Sequence, residues 1–528
     1  MSTAVSVPEM QGVPAQVDGR VNLWTSGPAI VLYLAAFKLL LHLLVAQRYN
    51  YMQDELYFFA CSEHLDWGYV DHPPLIVFIT KAVRMLLGDS LFAIRLLPAI
   101  AGAALVVLTG AIARTLGGGR FAQALAALGV IALPMYLTVH YVFSMNSIEP
   151  LFWTGLAYIV LLTVKGGDPR LLIWAGILVG LGLLNKYSMA IFTLALALGL
   201  LFTEHRKLLL SKWLWMGMGI GFLIFAPHLN WLIVHHFPFL EWQHNIKNTD
   251  QLVEHNPLTF ILQEIFLTGM ATLVWLPGVV FFFWTSKGKP YRFLGWAFVL
   301  TSAIFILLHG KTYYPAAAFA IAIAGGAVVL EQATVNSGWR RFRPVLVSLI
   351  IAGTALLAPM YIPVLPVETL LHYEDAIGMR PFQDEAYMKG SPLSVWLESQ
   401  FGWQTLVAKV ASVYDNLPAD DRRRAAIFGR TYPDAAAIDF FGKQYGLPKA
   451  ISGHLAYYLW GPGKNTSDVV ITVGYPLEAI APFCGEAEVR AQVHDPYSFG
   501  DMNNNPVVVC RGLKVDLQTQ WDQFKLWY

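Results

Sequence analysis

The sequence predicts an all-helical membrane protein with many spans, followed by a C-terminal α/β domain. Hydrophobic residues make up 56% of the 528 residues and charged residues only 13%, with a mean hydropathy of +0.50. A water-soluble surface needs about 25% charged residues. Apolar runs long enough to cross a bilayer recur as far as residue 362. Beyond that point charged, Pro and Gly residues become frequent, and no later run is long enough to span.

Eleven apolar runs are candidate membrane spans. They cover residues 28–46, 89–113, 121–138, 147–164, 171–185, 188–203, 213–234, 258–284, 291–308, 314–330 and 344–362. With a cytoplasmic N-terminus, the inner segments carry fourteen Lys and Arg residues and the outer segments carry six. The positive-inside rule favours this orientation. It predicts a cytoplasmic tail at 1–27, a membrane domain at 28–362 and, because the number of spans is odd, an extracytoplasmic region at 363–528.

The region 363–528 alternates helix and strand patterns, which is typical of an α/β domain. We expect helices at 401–414 and 435–445, and strands at 424–428, 468–473, 489–493 and 506–510. Cys484 and Cys510 both lie in this region. A disulfide and two unpaired thiols fit the sequence equally well, because sequence separation does not determine the distance between two Cα atoms.

The first external loop, residues 47–88, concentrates acidic and histidine residues. Asp54 and Glu55 lie just beyond the first span, at the start of a helix pattern that we expect Gly68 to end. Neighbouring residues on a helix point about 100° apart, so one carboxylate would react while the other orients or binds. A carboxylate near a helix N-terminus at the membrane edge can accept a proton from a hydroxyl nucleophile. The structural alternative is that both acids only cap the helix.

A second helix is expected over 75–87, opened by Pro73 and Pro74. It carries Lys81 and Arg84 on one face, since residues three apart are neighbours on a helix. Two short helices at the membrane surface, with acids at the head of the first, would form a platform for a reaction.

Further charged and phenolic residues lie at span ends on the same outer face. Glu149 is at the outer end of the fourth span and Arg95 near that of the second. Lys186 and the pair Lys311 and Tyr313 also flank spans on this side, where ammonium and phenol donors suit phosphate oxygens. The structural alternatives are a helix-terminal acid for Glu149 and simple interfacial anchoring for the others.

The sequence does not predict a metal, cofactor or nucleic-acid site. Five histidines in or near the 235–257 loop have no cysteine partners and no compact ligand spacing. No trustworthy phosphate-loop pattern or basic tract occurs elsewhere.

The run from Asp54-Glu55 through Gly68 to Asp71-His72-Pro73-Pro74 resembles the bacterial branch of the dolichyl-phosphate-mannose protein mannosyltransferase family. This branch includes the aminoarabinose transferases of lipid A, and its members have the GT-C membrane fold. Segments 145–153, 182–187, 309–314 and 437–462 also look like family motifs, in the same order along the chain. The resemblance therefore covers nearly the whole sequence.

This resemblance implies an inverting transfer of one sugar from a polyprenyl-phosphate carrier to an acceptor outside the cytoplasmic membrane. It implies that Asp54 is the general base, that Glu55 supports it, and that Lys311 with its tyrosines contacts the lipid phosphate. The implied substrate-binding set is Asp71, His72, Lys81, Arg95, Glu149, Lys186, Lys311 and Tyr313. No metal or other cofactor is implied. The acceptor is an envelope lipid, glycan or protein, and the resemblance leaves open which one, as well as the sugar.

Two other classes of function remain as alternatives. A transporter or flippase of lipid-linked sugars predicts polar residues at mid-membrane depth and paired broken helices. In this sequence the charged residues cluster instead at one face, and Lys38 is the main exception. A non-catalytic envelope-binding protein would not need Asp54.

Overall fold

The computed structural model describes residues 23–248, 255–335, 337–380, 392–463, 468–498 and 504–528. Residues 1–22 of the predicted cytoplasmic tail lie outside the described residues. Within these ranges, eight helical segments are long and apolar enough to cross a membrane, and three shorter apolar helices occupy the positions of further predicted spans. The prediction of a polytopic helical membrane protein is confirmed.

The helices of the membrane half follow the predicted order. They are α1 (Gly27–Val45), α2 (Gln53–Glu63), α3 (Leu75–Leu87), α4 (Leu91–Thr115), α5 (Arg120–Ala132), α6 (Pro134–Val139), α7 (Met145–Val164), α8 (Leu171–Asn185), α9 (Ser188–Leu201), α10 (Lys212–Val234), α11 (Pro238–Asn248), α12 (Pro257–Thr268), α13 (Thr272–Trp284), α14 (Arg292–Leu307), α15 (Phe319–Ala333), α16 (Ser337–Arg340) and α17 (Phe342–Leu357).

Two predicted spans are interrupted. The run 121–138 is divided into α5 and α6 at Pro134, which has no N–H to continue the helix. The run 258–284 is divided by a 3₁₀ turn at Gly269–Ala271, where Gly269 has a φ of +48°. Both breaks lie where other helices cover the backbone, as a membrane interior requires.

Helices α8 and α10 approach until their backbones touch. Gly176 and Gly180 on α8 face Gly217 and Gly221 on α10, and a Cβ on Gly176 would lie 1.9 Å from the carbonyl carbon of Gly217. Small residues four apart permit this contact between membrane helices, where van der Waals packing replaces the hydrophobic effect.

Lys38, the charged residue expected at mid-membrane depth, is fully buried in protein. Its Nζ donates to the carbonyl oxygen of Tyr136 at 3.2 Å. The rings of His42 and His140 lie nearby, with His42 hydrogen-bonded to the carbonyl oxygen of Leu137. The lysine is therefore solvated by polar groups of neighbouring helices rather than by lipid.

The C-terminal region is built on one five-stranded sheet of order β2-β1-β3-β5-β4. Its strands are β1 (Ala426–Gly429), β2 (Ala450–Ile451), β3 (Val469–Val473), β4 (Glu486–Val493) and β5 (Asn505–Arg511). Its helices are α18 (Val367–Ile377), α19 (Val395–Glu398), α20 (Trp403–Asp415), α21 (Ala419–Arg424), α22 (Tyr432–Phe441), α23 (Ala456–Trp460) and α24 (Leu477–Ile480). Strands β1, β2 and β3 are parallel, whereas β5 is antiparallel to β3 and β4. The predicted α/β character is confirmed, and the domain boundary at 362 stays a prediction.

The strand and helix bounds differ from the predictions, and β4 for example begins at Glu486 rather than at 489. The strand expected at 424–428 begins at Ala426, because the preceding arginines close α21. The helix expected at 435–445 begins earlier, at Tyr432, and a 3₁₀ turn carries it to Gly446 in the left-handed conformation. The two-residue strand β2 was not predicted, since it is too short to show a pattern. Cys484 and Cys510 form a disulfide with their Cα atoms 5.5 Å apart, so the bridged alternative is the one observed.

The C-terminal region packs directly on the loop 47–88, which contains α2 and α3. Phe440 on α22 stacks on Phe59 of α2, with ring centroids 5.0 Å apart, and contacts Tyr51 at 4.9 Å. Lys443 and Lys449 both pair with Glu63 at the end of α2. Residues of α2, α3 and this domain share one buried hydrophobic cluster. The head of α2 is therefore enclosed between the membrane helices and the C-terminal domain.

Candidate active site

The two acids of the first external loop lie in the first turn of α2, as predicted. The helix begins at Gln53, and the backbone N–H of Met52 donates to Glu55 Oε2 at 2.8 Å. This bond satisfies an N–H that would otherwise have no helical partner.

The predicted end of this helix at Gly68 is wrong, because α2 ends at Glu63. Gly68 has another role, which is to let the loop backbone pass under an indole ring. A Cβ on Gly68 would lie 2.3 Å from Trp231 on α10. Trp231 also donates from Nε1 to Asp66 at 2.8 Å, and His228 on the same helix hydrogen-bonds the carbonyl oxygen of Trp67 at 2.6 Å. These contacts fix the loop that leads to Asp71 and His72.

Glu55 is completely buried and fully engaged by protein donors. Arg95 donates to both of its oxygens, from Nε at 3.0 Å and from Nη2 at 2.9 Å. The backbone N–H of Met52 also donates to Oε2 at 2.8 Å, and that of Phe143 donates to Oε1 at 2.9 Å. Glu55 therefore holds α2 against α4 and the loop before α7, and no edge of its carboxylate faces a substrate.

Arg95 uses all of its N–H groups within the protein. Besides Glu55, they contact Tyr141 Oη at 2.6 Å, the side-chain oxygen of Gln400 at 3.3 Å, and the carbonyl oxygens of Ala46, Arg48 and Asn50. The residue as a whole is 1% exposed. The structure thus places the predicted phosphate ligand Arg95 in a buried interhelix connection, and its substrate-binding role stays a prediction without a geometric basis here.

Asp54 lies in a different environment from its neighbour. It is only partly buried, and Tyr432 of the C-terminal domain donates from its hydroxyl to Asp54 Oδ1 at 2.9 Å. Burial raises the pKa of Asp54 to about 6, and the negative charge of Asp71 contributes to the same direction. The Tyr432 hydrogen bond and the charges of His72 and Lys311 act in the opposite direction. Asp54, Asp71, His72 and Lys311 are therefore close enough to interact electrostatically.

Asp71 and His72 close the other side of this cluster. Tyr57 donates from its hydroxyl to Asp71 Oδ1 at 3.0 Å, and burial raises the pKa of Asp71. His72 is fully buried, with Nδ1 3.0 Å from the carbonyl oxygen of Pro73 and Nε2 4.0 Å from Asp71. Asp71 is thus held beside Asp54, while the ring of His72 supports the loop.

Glu149 and Lys186 form a second group, where α7 begins and α8 ends. Lys186 Nζ lies 3.1 Å from Glu149 Oε2 and 2.7 Å from Asn146 Oδ1. Its ammonium also lies 4.6 Å from the ring centroid of Tyr314 and 5.9 Å from that of Tyr313. Lys186 keeps part of its surface exposed, so this cation framed by aromatic rings is accessible from outside the protein.

The cations of α3 do not join either group. Arg84 pairs with Asp89 at 2.7 Å and with Glu63 at 3.5 Å, which ties α3 to α2. Lys81 is partly exposed on the same helix, and among the described residues it has no hydrogen bond or ion pair. The structure therefore gives Arg84 a structural role and leaves the binding role of Lys81 as a prediction.

Sequence reasoning missed Tyr432 and Tyr57, the two phenols that hold the acids. Tyr432 is separated from Asp54 by 378 positions in the sequence, so no local pattern connects them. Tyr57 follows Asp54 by three residues and was visible as a neighbour on the same helix face, but its contact with Asp71 depends on the loop between α2 and α3.

Within the described ranges, no group of three or more His, Cys, Asp or Glu residues could hold a metal ion. The prediction that catalysis needs no metal stays a prediction.

Residues 71–231 match the sequence model of the dolichyl-phosphate-mannose-protein mannosyltransferase family. The structure is similar to crystal structures of ArnT from Cupriavidus metallidurans, both with undecaprenyl phosphate bound and in the apo state. This chain has the GT-C fold. The TM-scores are 0.56 and 0.53, with 15% sequence identity and coverage of 91% of this chain and 97% of ArnT in both comparisons. Among curated proteins, none matches this sequence.

The family match and the GT-C fold confirm the resemblance drawn from the sequence motifs, and together they support a membrane glycosyltransferase. The family match begins at Asp71 and ends at Trp231, the residue that covers Gly68. It contains Glu149 and Lys186, whereas the fold comparison covers 91% of the chain.

Proposed function

We propose that the protein transfers a single sugar, with inversion, from a polyprenyl-phosphate donor to a hydroxyl group of an envelope lipid, glycan or protein. The environment of Asp54 is the observation that carries this proposal. Its carboxyl group lies beyond the end of the first span, near Lys311 and the ring of His72, and under the C-terminal domain. A pKa of about 6 leaves it ionised at neutral pH yet basic enough to remove a proton in the transition state.

In this mechanism Asp54 accepts the proton of the acceptor hydroxyl as its oxygen attacks the anomeric carbon of the sugar. The bond between that carbon and the phosphate oxygen breaks on the opposite face, so polyprenyl phosphate leaves with the electron pair. The configuration at carbon is inverted, and Asp54 then returns the proton to water. Glu55 takes no proton in this scheme, since it is held by four donors and positions the helix instead.

Cations at the membrane edge would stabilise the phosphate that leaves. Lys311 influences Asp54 electrostatically, and Lys186 presents an ammonium between Glu149 and the ring of Tyr314. Charge that develops on a departing phosphate is stabilised most by donors already in place. The undecaprenyl phosphate named for the ArnT structure supports a polyprenyl phosphate as the lipid partner.

We place this reaction on the extracytoplasmic side of the bacterial cytoplasmic membrane. The excess of basic residues in the opposite loops supports that orientation. The disulfide between Cys484 and Cys510 also supports it, because disulfides persist in oxidising compartments outside the cytoplasm.

The experiment that tests the proposal uses purified protein in lipid nanodiscs with a panel of polyprenyl-phosphate sugars. Envelope lipid, glycan and protein fractions serve as acceptors, and release of free polyprenyl phosphate is measured. We expect release by the wild type and a loss of at least about 100-fold in Asp54→Asn. Asp420→Asn, which changes an exposed acid on α21, is the matched control and should keep full activity.

Two other outcomes would contradict parts of the proposal. Equal release by wild type and by a folded, donor-binding Asp54→Asn variant would remove Asp54 as the base. No release from any donor would instead favour the transport alternative, for which the buried Lys38 is the residue to test next.

A further inference from the structure

We propose that Tyr432 is a positioning residue of the catalytic centre, supplied by the C-terminal domain, and that it holds one oxygen of Asp54 so that the other faces the acceptor. This inference rests on the proposed function of Asp54 as the base. It gives the C-terminal domain a part in the chemistry rather than only a cover over the membrane domain.

Tyr432 is built into the edge of the sheet where parallel strands end. Strand β1 finishes at Gly429, and α22 begins at Tyr432, between the carboxyl ends of β1 and its parallel neighbours. Open α/β sheets place functional groups at this edge, where successive connections leave in opposite directions. The order β2-β1-β3 creates such a reversal next to β1.

Local hydrogen bonds fix the start of α22. Thr431 donates from its N–H and its hydroxyl to Asp434 Oδ2, at 3.0 and 2.7 Å. The N–H of Tyr432 donates to His454 Nδ1 at 3.0 Å, and burial lowers the pKa of His454 to about 4, so this ring nitrogen is an acceptor at neutral pH. The backbone of Tyr432 is therefore held from both sides before its side chain reaches Asp54.

The side chain of Tyr432 packs against Tyr57, the phenol that donates a hydrogen bond to Asp71. Its ring contacts that of Tyr57 with centroids 4.5 Å apart. Tyr57 donates to Asp71, while the N–H of Ala456, also in the C-terminal domain, donates to the hydroxyl of Tyr57 at 3.1 Å. The Ala456 contact leaves the hydroxyl hydrogen of Tyr57 directed at Asp71. The C-terminal domain thus sets the hydrogen bonds of both acids.

The Tyr432 hydroxyl occupies Asp54 Oδ1, and no hydrogen bond to Oδ2 is present among the residues that the structure describes. A carboxylate held at one oxygen has one orientation, which leaves the second oxygen ready for an alcohol. The hydrogen bond also stabilises the ionised form and so keeps the pKa of Asp54 from rising further. The charged groups that face Asp54 are Asp71 and His72 from the loop after α2 and Lys311 from the loop after α14.

The test is Tyr432→Phe, which removes the hydroxyl and keeps the ring against Tyr57. Tyr497→Phe is the matched control, because Tyr497 donates to Glu368 at 2.9 Å elsewhere in the same region. Release of polyprenyl phosphate is measured from pH 5 to pH 9. We expect Tyr432→Phe to move the acid limb of the profile upward by about one pH unit and to lower kcat about tenfold at pH 5. The donor KM should not change, and Tyr497→Phe should match the wild type.

A second measurement does not depend on turnover. Infrared difference spectra between wild type and Asp54→Asn give the titration of the Asp54 carboxyl group directly. The same difference taken in the Tyr432→Phe background should show a higher midpoint. An unchanged midpoint together with an unchanged pH profile would overturn the role of Tyr432, even if Asp54→Asn is inactive. If the wild type releases nothing from any donor, the proposed function fails, and the infrared midpoint still decides whether Tyr432 sets the state of Asp54.

Discussion

Arg95 and Glu55 form a two-point ion pair in which neither side chain has solvent contact. The two N···O distances are 3.0 and 2.9 Å, and both side chains are 0% exposed. This pair connects α4 to the first turn of α2, so it fixes the segment on which Asp54 stands. The adjacent acids therefore differ in environment: Glu55 is engaged within the fold, whereas Asp54 is only partly buried.

We expect loss of either partner of the ion pair to destabilise the membrane domain. Arg95→Met would leave the Glu55 carboxylate buried without its counter-ion, and breaking such a pair costs about 3–5 kcal/mol. Glu55→Gln would leave the Arg95 guanidinium in the same state. The measurement is thermal unfolding in nanodiscs, where both single variants should unfold at lower temperature. The double variant should be less destabilised than the sum of the singles, since it leaves no unpaired charge.

This measurement also tests the substrate-binding role predicted for Arg95. If Arg95→Met keeps its unfolding temperature but loses donor binding, the guanidinium contacts the lipid phosphate in a conformation other than the one described here. Donor binding by a destabilised variant would support the structural role.

Asp54→Asn should not lower the unfolding temperature at pH 8. The pKa of Asp54 is about 6 in the folded chain and near 3.9 in an unfolded chain, so its ionised form destabilises the fold above pH 6. As the pH falls from 6 towards 4, the folded wild type takes up the proton first and gains stability relative to the unfolded state. The advantage of the variant should therefore shrink over this range. Thermal unfolding of both proteins at pH 8, 6 and 4.5 checks this. The unfolding temperature of the variant minus that of the wild type should be largest at pH 8, and a difference that is larger at pH 4.5 would contradict the prediction.

Residues that begin or end helices made much of the α2 and α3 platform predictable from the sequence. Helix α3 has the bounds expected from the sequence at both ends, since two prolines open it and Gly88 follows it. The first-turn position of Asp54 and Glu55 was also predictable, because acids at the head of a helix pattern are a local signal. Local signals of this kind need only a few neighbouring residues.

The rest of the site depends on contacts between distant segments. Gly68 resembles a helix stop in the sequence, yet it is required by the indole of Trp231 on another helix. Arg95 has the same sequence signature whether it binds a phosphate or a buried carboxylate. The contact of Tyr432 with Asp54 depends on how the C-terminal domain packs against α2, so no local pattern predicts it. Tertiary packing determines the role of each of these residues, and it cannot be read from the local sequence pattern.

Gly68→Ala should disturb the loop that carries Asp71 and His72. The new methyl group would lie 2.3 Å from the Trp231 ring, so the loop or the indole must move. Overpacking of this kind costs about 1–3 kcal/mol. We expect lower activity together with a lower unfolding temperature. Gly219→Ala on α10 is the control, because a Cβ there meets nothing within 4 Å; equal behaviour of the two variants would contradict the close approach at Gly68.

Lys186→Met should weaken donor binding more than it slows the chemical step. A hydrogen bond to a charged group contributes about 1.5–3 kcal/mol, which corresponds to an increase of about tenfold or more in the donor KM. Lys186→Arg should recover part of the affinity, since it restores a cation beside Glu149 and the ring of Tyr314. Steady-state kinetics with varied donor concentration gives the comparison. An unchanged KM with a lower unfolding temperature would show that Lys186 only connects α7 to α8.

The disulfide allows the orientation of the C-terminal domain to be tested in cells. Cys484 and Cys510 are bridged and Cys61 is a buried free thiol, which accounts for the three cysteines of the chain. Protein extracted under denaturing conditions with an alkylating reagent should therefore carry one label, and three after reduction. Replacing both bridged cysteines by Ser should destabilise the sheet domain by about 2–4 kcal/mol, because the bridge joins the residues before β4 to β5 and closes a chain loop that contains β4. Three labels without reduction would show that the thiols remain reduced in the cell, and the domain would then have to be placed on the cytoplasmic side.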